Sequence, residues 1–479
     1  MIGRGSPHGN KDEVIISIRA LAGFRRLVAA SIASQLRRNT LAGAASAVTG
    51  ALLSAVSYPL YLHFLGYEQY GLWLAVAIVL NFAQFGNLGL APAVTTKVAE
   101  DFARRDFTSI RITVSTAVLT LTAVGLLAVF AVLIFGGYIV GAMRLSPALA
   151  VRAHGLLPLV ALLSLYVVQI ETLNAVLVGL GRLDLSVGTQ VLSRALSLAV
   201  SASLLAAGVG VMSLPIANLA GYAFLHLASL ILARRITGHS CLSFGSFDFA
   251  RLRKLATFGS GLIACSLIGL LLGPLNKFAL TRYAGISSVP VYDLAWNLSM
   301  QLRSVLESGF RSLMPEVSRL AAIGSSHSNG QIAHVNRRAI KLIFTLGLPA
   351  FALVFLIADP ALRLWLGARF RPEIVPALRV LLVGCFISLI GVPGYYTLLG
   401  LGRIKQLIAI FAAQAGTNLL LITGSLAFGI VSAPSTAAAA AGGIAVGGLA
   451  CLCATKMRQR PCAIPTLLNN TRTPQELHY

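Results

Sequence analysis

Twelve stretches of this chain are too long and too apolar to be hidden inside a water-soluble fold. They run over residues 41–63, 70–96, 112–136, 155–180, 185–208, 212–233, 257–281, 288–315, 340–357, 374–400, 406–431 and 433–455. A helix needs about 20 mostly apolar residues to cross the hydrocarbon of a bilayer. The runs are continuously apolar and do not alternate with period two, so they read as helices and exclude a barrel. Charged residues make up only 11% of the chain, against about 25% in soluble domains. The fold class is therefore an all-α polytopic membrane protein with about 12 transmembrane helices.

A net charge of +23 invites a nucleic-acid reading, and the placement of the charge opposes it. With the N-terminus cytoplasmic and the helices alternating, cytoplasmic segments hold 27 of the 38 Lys and Arg residues, counting Lys341 at the inner edge of the ninth run. Outward loops hold 6: Arg144, Arg152, Arg282, Arg363, Arg369 and Arg371. This is the positive-inside bias, which places both termini in the cytoplasm. The first 40 residues mix apolar residues with Arg19, Arg25, Arg26, Arg37 and Arg38. They do not read as a cleavable signal peptide; they form either an amphipathic interfacial helix or a basic tail.

The chain repeats itself. "LVGLGRLD" at 177–184 returns as "LLGLGRIK" at 398–405, an offset of 221. Tyr70 and Tyr292 are 222 apart, and Pro92 and Pro315 are 223 apart. Six helices fill one period, so the halves share one orientation and are related by an axis along the membrane normal. The expected organisation is a basic segment 1–40, an N-lobe 41–233, a linker 234–256, a C-lobe 257–455 and a tail 456–479, with a cavity between the lobes. In such carriers the site opens to alternate faces as one half rocks against the other.

Nothing in the chain reads as catalytic. It has no Walker-type loop, no HExxH and no serine elbow. "GLGRLD" follows a membrane helix rather than a strand, so it is not a phosphate loop. The six cysteines lack zinc spacing and read as packing residues, and no metal site or cofactor is expected.

Function is sought in the polar groups at membrane depth, which are expensive and usually face a cavity. Arg303, Glu307 and Arg311 are spaced i, i+4, i+8, on one stripe of the eighth helix, with Asn297 and Gln301 nearby. Either that stripe lines a water-filled cavity or its charges only fix helix packing. The second helix, its repeat partner, carries Asn81, Gln84 and Asn87. Two polar stripes facing across the pseudo-axis outline a central cavity. Arg194 and Glu171 also lie deep; Lys277, Arg379 and Asp293 lie near helix ends, where a long side chain can reach the interface. Five basic against three acidic groups make the cavity mildly cationic and favour an anionic substrate. Glu307, Glu171 and Asp293 are candidate sites for coupling to Na⁺ or H⁺.

The segments "FLGYEQYGLWLA", "GNLGLAPAVTTKVAE", "LRLWLGARFRPEIVPALRVLLVG", "GYYTLLGLGRIKQLI" and "TNLL" resemble the O-antigen, or Wzx-type, polysaccharide flippases. These belong to the multidrug/oligosaccharidyl-lipid/polysaccharide exporter superfamily, and the resemblance covers about residues 36–455. Where that family often has an acidic residue before "LGL", this chain has Asn87. The resemblance implies a multi-pass protein of the bacterial inner membrane. Its substrate is a polyprenyl-pyrophosphate-linked oligosaccharide moved to the outer leaflet, and its partners are a polysaccharide polymerase and chain-length proteins. On that view Arg303, Arg311, Lys277 and Arg194 attract the pyrophosphate, while Asn81, Gln84, Asn87, Asn297 and Gln301 bond sugar hydroxyls. With the cell interior negative, outward movement of an anion is downhill by about 2.3 kcal/mol per charge per 100 mV. The rival expectation is a drug or metabolite antiporter of the same superfamily, which would favour an acidic cavity for cationic cargo.

Overall fold

The structure, a computed structural model, describes residues 48–80, 90–243, 245–310, 313, 317–320 and 326–456, with backbone alone for 256–268, 270, 271, 326–329 and 456. The described residues are almost entirely helical and contain no strand. Helical residues Val48–Leu80 carry Gly66 at a φ of 67°. A straight helix would set Tyr58 and Tyr70 about 18 Å apart along its axis, yet their rings lie 6.0 Å apart. The chain therefore doubles back at Gly66, a position whose left-handed φ suits a residue without a Cβ. The two arms are α1 (48–65) and α2 (67–80).

The remaining helices of the first half are α3 (Leu90–Ala103), α4 (Phe107–Ala142), α5 (Pro147–Gly179), α6 (Leu183–Ala206) and α7 (Ser213–Thr237). The second half comprises α8 (Phe249–Ala279), α9 (Ser288–Ser308), α10 (Ser326–Leu342), α11 (Leu348–Leu366), α12 (Ile374–Ile390), α13 (Val392–Gly400), α14 (Ile404–Ala427) and α15 (Ala433–Lys456). The stretch 316–339, which falls between the eighth and ninth apolar runs, is helical over 317–320 and again from Ser326, and a π-helical turn at Ile343–Gly347 joins α10 to α11. The apolar signal missed α10 because "SHSNGQIAHVNRRAIKL" is mostly polar.

The duplication is visible in three dimensions. Helices α6 and α14 are each 24 residues long and start and end at an offset of 221. Both are entered through the same C-cap, in which glycine is left-handed and the next N–H reaches back to the helix. Arg182 donates to the Leu177 carbonyl at 3.0 Å and Arg403 to the Leu398 carbonyl at 2.9 Å. Both helices also end alike: Val209 donates to Leu204 at 3.1 Å and Ile430 to Ser425 at 3.0 Å, after Gly208 and Gly429. This second pair of turns keeps the 221 offset although "GVG" and "GIV" look unrelated.

Lipid is the solvent of the outer surface. Helix α4 is 36 residues long, about 54 Å at 1.5 Å per residue, and exposes Leu127, Phe130, Ile134 and Tyr138. An apolar surface of that extent is covered by a bilayer rather than water.

Alternation of the helices puts the turns at Gly66, Gly208, Gly285, Gly367 and Gly429 on one face, here the distal face. Val48, Lys456 and the turns at Gly181 and Gly402 lie on the opposite, terminal face. Towards the distal side one hydrophobic cluster runs through both halves, from Tyr58 and Leu72 to Val291, Leu381 and Ala440. Towards the terminal side the described core separates. Val94, Val114, Val176 and Leu255 form one cluster, and Leu398, Leu407, Ile410 and Cys451 another.

Candidate functional site

The distal seam is held by polar groups buried between the halves. The Tyr58 hydroxyl, on α1, donates to Asp293 Oδ2 on α9 at 2.7 Å. Asn297 donates to the Tyr58 hydroxyl at 2.8 Å and to Asp293 Oδ2 at 3.0 Å. Lys277, from the end of α8, pairs with Asp293 Oδ1. Nearby, the Trp365 indole donates to the Ala55 carbonyl at 2.8 Å, Tyr67 donates to the Arg369 carbonyl at 2.7 Å, and the Arg371 guanidinium lies 4.1 Å from the Tyr67 ring centroid. Gly71 completes the seam: a Cβ there would collide with the Ile286 carbonyl.

On the terminal side the linker and the first turns of α8 belong structurally to the first half. Ser243 and Asp248 donate their backbone N–H groups to Ser115 and Thr116 of α4 at 2.8 and 3.0 Å. Arg251 donates to the Ser109 carbonyl, the Ser109 hydroxyl and the Thr113 hydroxyl at 3.0, 2.6 and 2.8 Å. It also stands 3.8 Å from buried Asp101, which Lys97 pairs at 2.9 Å. The hydrogen bond to Asp101 holds the Lys97 amine above the usual lysine range.

Between these two ends, inside the second half, lies a cavity of about 280 Å³. Helix α9 supplies Arg303 and Glu307, α12 Ser388, α13 Tyr395 and Tyr396, α14 Phe411 and Gln414, and α15 Cys451. Arg303 and Glu307 form an ion pair at 3.2 Å, and the Tyr396 hydroxyl stands 3.5 Å from Glu307. The buried Nε of Arg303 has no hydrogen-bond partner. Tyr395 packs edge-on to Tyr396 and Phe411, with ring centroids 5.1 and 6.3 Å away. The walls close because α12 and α13 approach α15 backbone to backbone. Gly384 faces Ala441, Gly391 faces Gly448 and Gly394 faces Cys451, leaving no room for a Cβ. Small residues at such crossings are how membrane helices pack closely. Phe411 is two turns into α14, so the cavity reaches to within about 13 Å of the turn at Gly402.

The sequence-expected residues thus fall into separate places. Arg303 and Glu307 line the cavity in the second half rather than a space on the pseudo-axis, because α9 packs its polar stripe against α12 to α15. The basic excess counted along the sequence is absent from this cavity, whose two charges cancel. Lys277, Asp293 and Asn297 form the distal seam instead and satisfy one another there. Arg194 and Glu171 lie in the first half, on exposed faces of α6 and α5, close enough for their charges to interact. Arg379 donates to the Phe355 carbonyl at 3.2 Å and lies over the Phe355 ring. Gln301 is half-buried on α9. Asn81, Gln84, Asn87 and Arg311, with the basic segment 1–40, lie outside the described residues. Sequence reasoning missed Tyr58, Tyr395 and Gln414. Gln414 and Asn418, i and i+4 in an apolar helix, carry the same signal that singled out Asn297 and Gln301.

Residues 36–321, more than half of the chain, match the sequence model of the family described as polysaccharide biosynthesis protein. The chain belongs to that family. No curated protein sequence matches it. Among solved structures, this polysaccharide biosynthesis protein resembles the inward-facing conformation of a multidrug resistance MATE transporter of the MOP superfamily. The TM-score is 0.66 at 16% identity, over 88% of this chain and 94% of that one. The outward-facing conformation of a multidrug resistance MATE transporter gives 0.59 at 14% identity, over 88% and 95%. A MOP superfamily transporter from Pyrococcus furiosus, described as having a binding pocket of reversed polarity, gives 0.60 at 15% identity, again over 88% and 95%. The protein is a multi-pass membrane protein of this family, with the fold of these MOP superfamily transporters.

Proposed function

We propose that this protein is a flippase. It carries a polyprenyl-pyrophosphate-linked oligosaccharide from the inner to the outer leaflet of a bacterial cytoplasmic membrane, with both termini in the cytoplasm. One observation supports this most: among the described residues the halves share a core on the distal side and form separate clusters on the terminal side, beside a polar cavity. With the termini cytoplasmic, the distal face is outer, and the structure corresponds to an inward-open state ready to take a head group from the inner leaflet. The greater overlap with the inward-facing relative supports the same state. Arg194 and Arg311 attract the pyrophosphate, and the Arg303–Glu307 pair receives the head group in the second half. The lipid tail stays in the bilayer through the gap between the halves. Breaking the Tyr58–Asp293 seam, while closing the terminal side, completes the transfer.

The test is to delete the gene and extract the lipids. Build-up of a polyprenyl-linked oligosaccharide, relieved by the wild-type gene and not by Arg303→Ala at equal protein level, supports flipping. Unchanged lipid intermediates together with a new drug sensitivity would support a small-molecule antiporter, a cargo class to which the MATE-like fold is equally suited.

A further inference from the structure

We propose that the cavity in the second half is a subsite for one neutral pyranose ring of the transported oligosaccharide, stacked on Tyr395 and hydrogen-bonded by Arg303, Glu307 and Gln414. This rests on the flippase reading and names what part of the cargo the site takes. Charge comes first. Among the described residues, the acidic and basic side chains in the lining are Arg303 and Glu307, which pair with each other at 3.2 Å. A phosphate entering there would meet the Glu307 carboxylate at close range, and like charges in a desolvated pocket repel strongly. A neutral ligand meets no such barrier.

The donors and acceptors then point to hydroxyls. The Arg303 Nε–H is buried without an acceptor, although the guanidinium is otherwise engaged by Glu307. A carboxylate with about four lone-pair sites, an amide and a serine hydroxyl complete the polar side. This mixture of donors and acceptors suits groups that are both, as sugar hydroxyls are. Three aromatic rings share the lining: Tyr395 packs edge-on to Tyr396 and Phe411, with ring centroids 5.1 and 6.3 Å away, so a ligand can lie against the face of one ring at a time. The electron-rich face of an aromatic ring attracts the polarised C–H groups on one side of a pyranose. A lining that mixes polar groups with an aromatic face matches a ring with hydroxyls around its edge and C–H bonds on its face. Size sets the limit. A volume of 280 Å³ is just below the usual small-molecule range of about 300–1,000 Å³, enough for one sugar ring and too small for an oligosaccharide. The further sugars and the pyrophosphate must remain outside, in the cleft between the halves.

The experiment is saturation-transfer NMR on the full-length protein in nanodiscs, with methyl β-glucoside, methyl β-galactoside and inorganic pyrophosphate as separate probes. The expected result is transfer to the ring C–H protons of at least one glycoside, with pyrophosphate unable to compete it away. Glu307→Gln should weaken glycoside binding about ten-fold, the effect of losing a charge-assisted hydrogen bond. Tyr395→Leu should abolish transfer, while Tyr395→Phe, which keeps the aromatic face, should retain it and shows that the fold is intact. Absence of transfer from both glycosides, transfer untouched by Glu307→Gln and Tyr395→Leu, or displacement by pyrophosphate overturns the proposal. Flipping of the lipid-linked oligosaccharide is measured on the same preparation. Intact flipping without glycoside binding removes the subsite alone. Glycoside binding without flipping leaves the pocket's ligand in place and removes the flippase reading.

Discussion

The Tyr58→Phe substitution isolates the distal seam. It deletes one oxygen that donates to Asp293 at 2.7 Å and accepts from Asn297 at 2.8 Å. It leaves Lys277 paired with Asp293, so no buried charge is orphaned. Asp293→Asn is less informative, because breaking a buried ion pair by removing one partner costs about 3–5 kcal/mol and threatens folding itself. A hydrogen bond to a charged group contributes about 1.5–3 kcal/mol and a neutral one about 0.5–1.5. Asn297 keeps its bonds to Asp293 in the variant, which puts the net loss near the low end, about 2 kcal/mol. That loss falls on the distally closed state alone, because the bond joins opposite halves. At about 1.4 kcal/mol per factor of ten, the closed-to-open ratio drops about 30-fold. Spin labels at exposed Glu68 and Glu373, one in each half beside the seam, report the distance across the distal face by pulsed electron resonance. The variant should show a growing population of longer distances with no loss of thermal stability inside either half. An unchanged distance distribution would refute the idea that this seam closes the outer gate.

Four further outcomes follow from the same geometry. Gly391→Ala should destabilise the protein by about 1–3 kcal/mol in a thermal melt, because the new methyl meets the Gly448 carbonyl and backbone cannot yield. Gly424→Ala, where nothing lies within 4 Å, should be neutral or stabilise by up to about 1 kcal/mol. Arg251→Ala should raise amide exchange over residues 241–255, because it removes three side-chain bonds that fasten α8 to α4; unchanged protection would show that the linker is held by its apolar contacts and its backbone bonds to Ser115 and Thr116. Gly402→Ala should cost about 1–2 kcal/mol, since a Cβ opposes the left-handed φ of 66°, and the parallel change at Gly181 should match it if the two turns are equivalent.

Fold and duplication were legible in the sequence because bilayer thickness and helix rise impose a coarse rule that apolar runs obey. The Gly-Leu-Gly-Arg turns served as a ruler because a left-handed C-cap demands glycine at a fixed place. The second pair of turns, at Gly208 and Gly429, was hidden because only one residue of each is constrained. Depth told less than partner choice. Lys277, Asp293 and Arg303 all read as intramembrane charges, yet whether each lines a cavity or closes a seam depends on which helix faces it. Tyr58 could not be singled out at all: a tyrosine at an interface is ordinary, and Asp293 lies 235 positions away. The location of the cavity inside one half, rather than on the axis, was equally invisible, because it depends on how α9 leans against α12 and α15.

The most direct measurement is flipping itself. The purified protein is reconstituted into vesicles carrying a polyprenyl-pyrophosphate-linked oligosaccharide, and the head group is followed with a membrane-impermeant glycosidase. The expected result is protein-dependent exposure of the head group, faster when the compartment of origin is negative and lost in Arg303→Ala. Head groups that stay protected, while the same vesicles expel a small cationic dye, would contradict it.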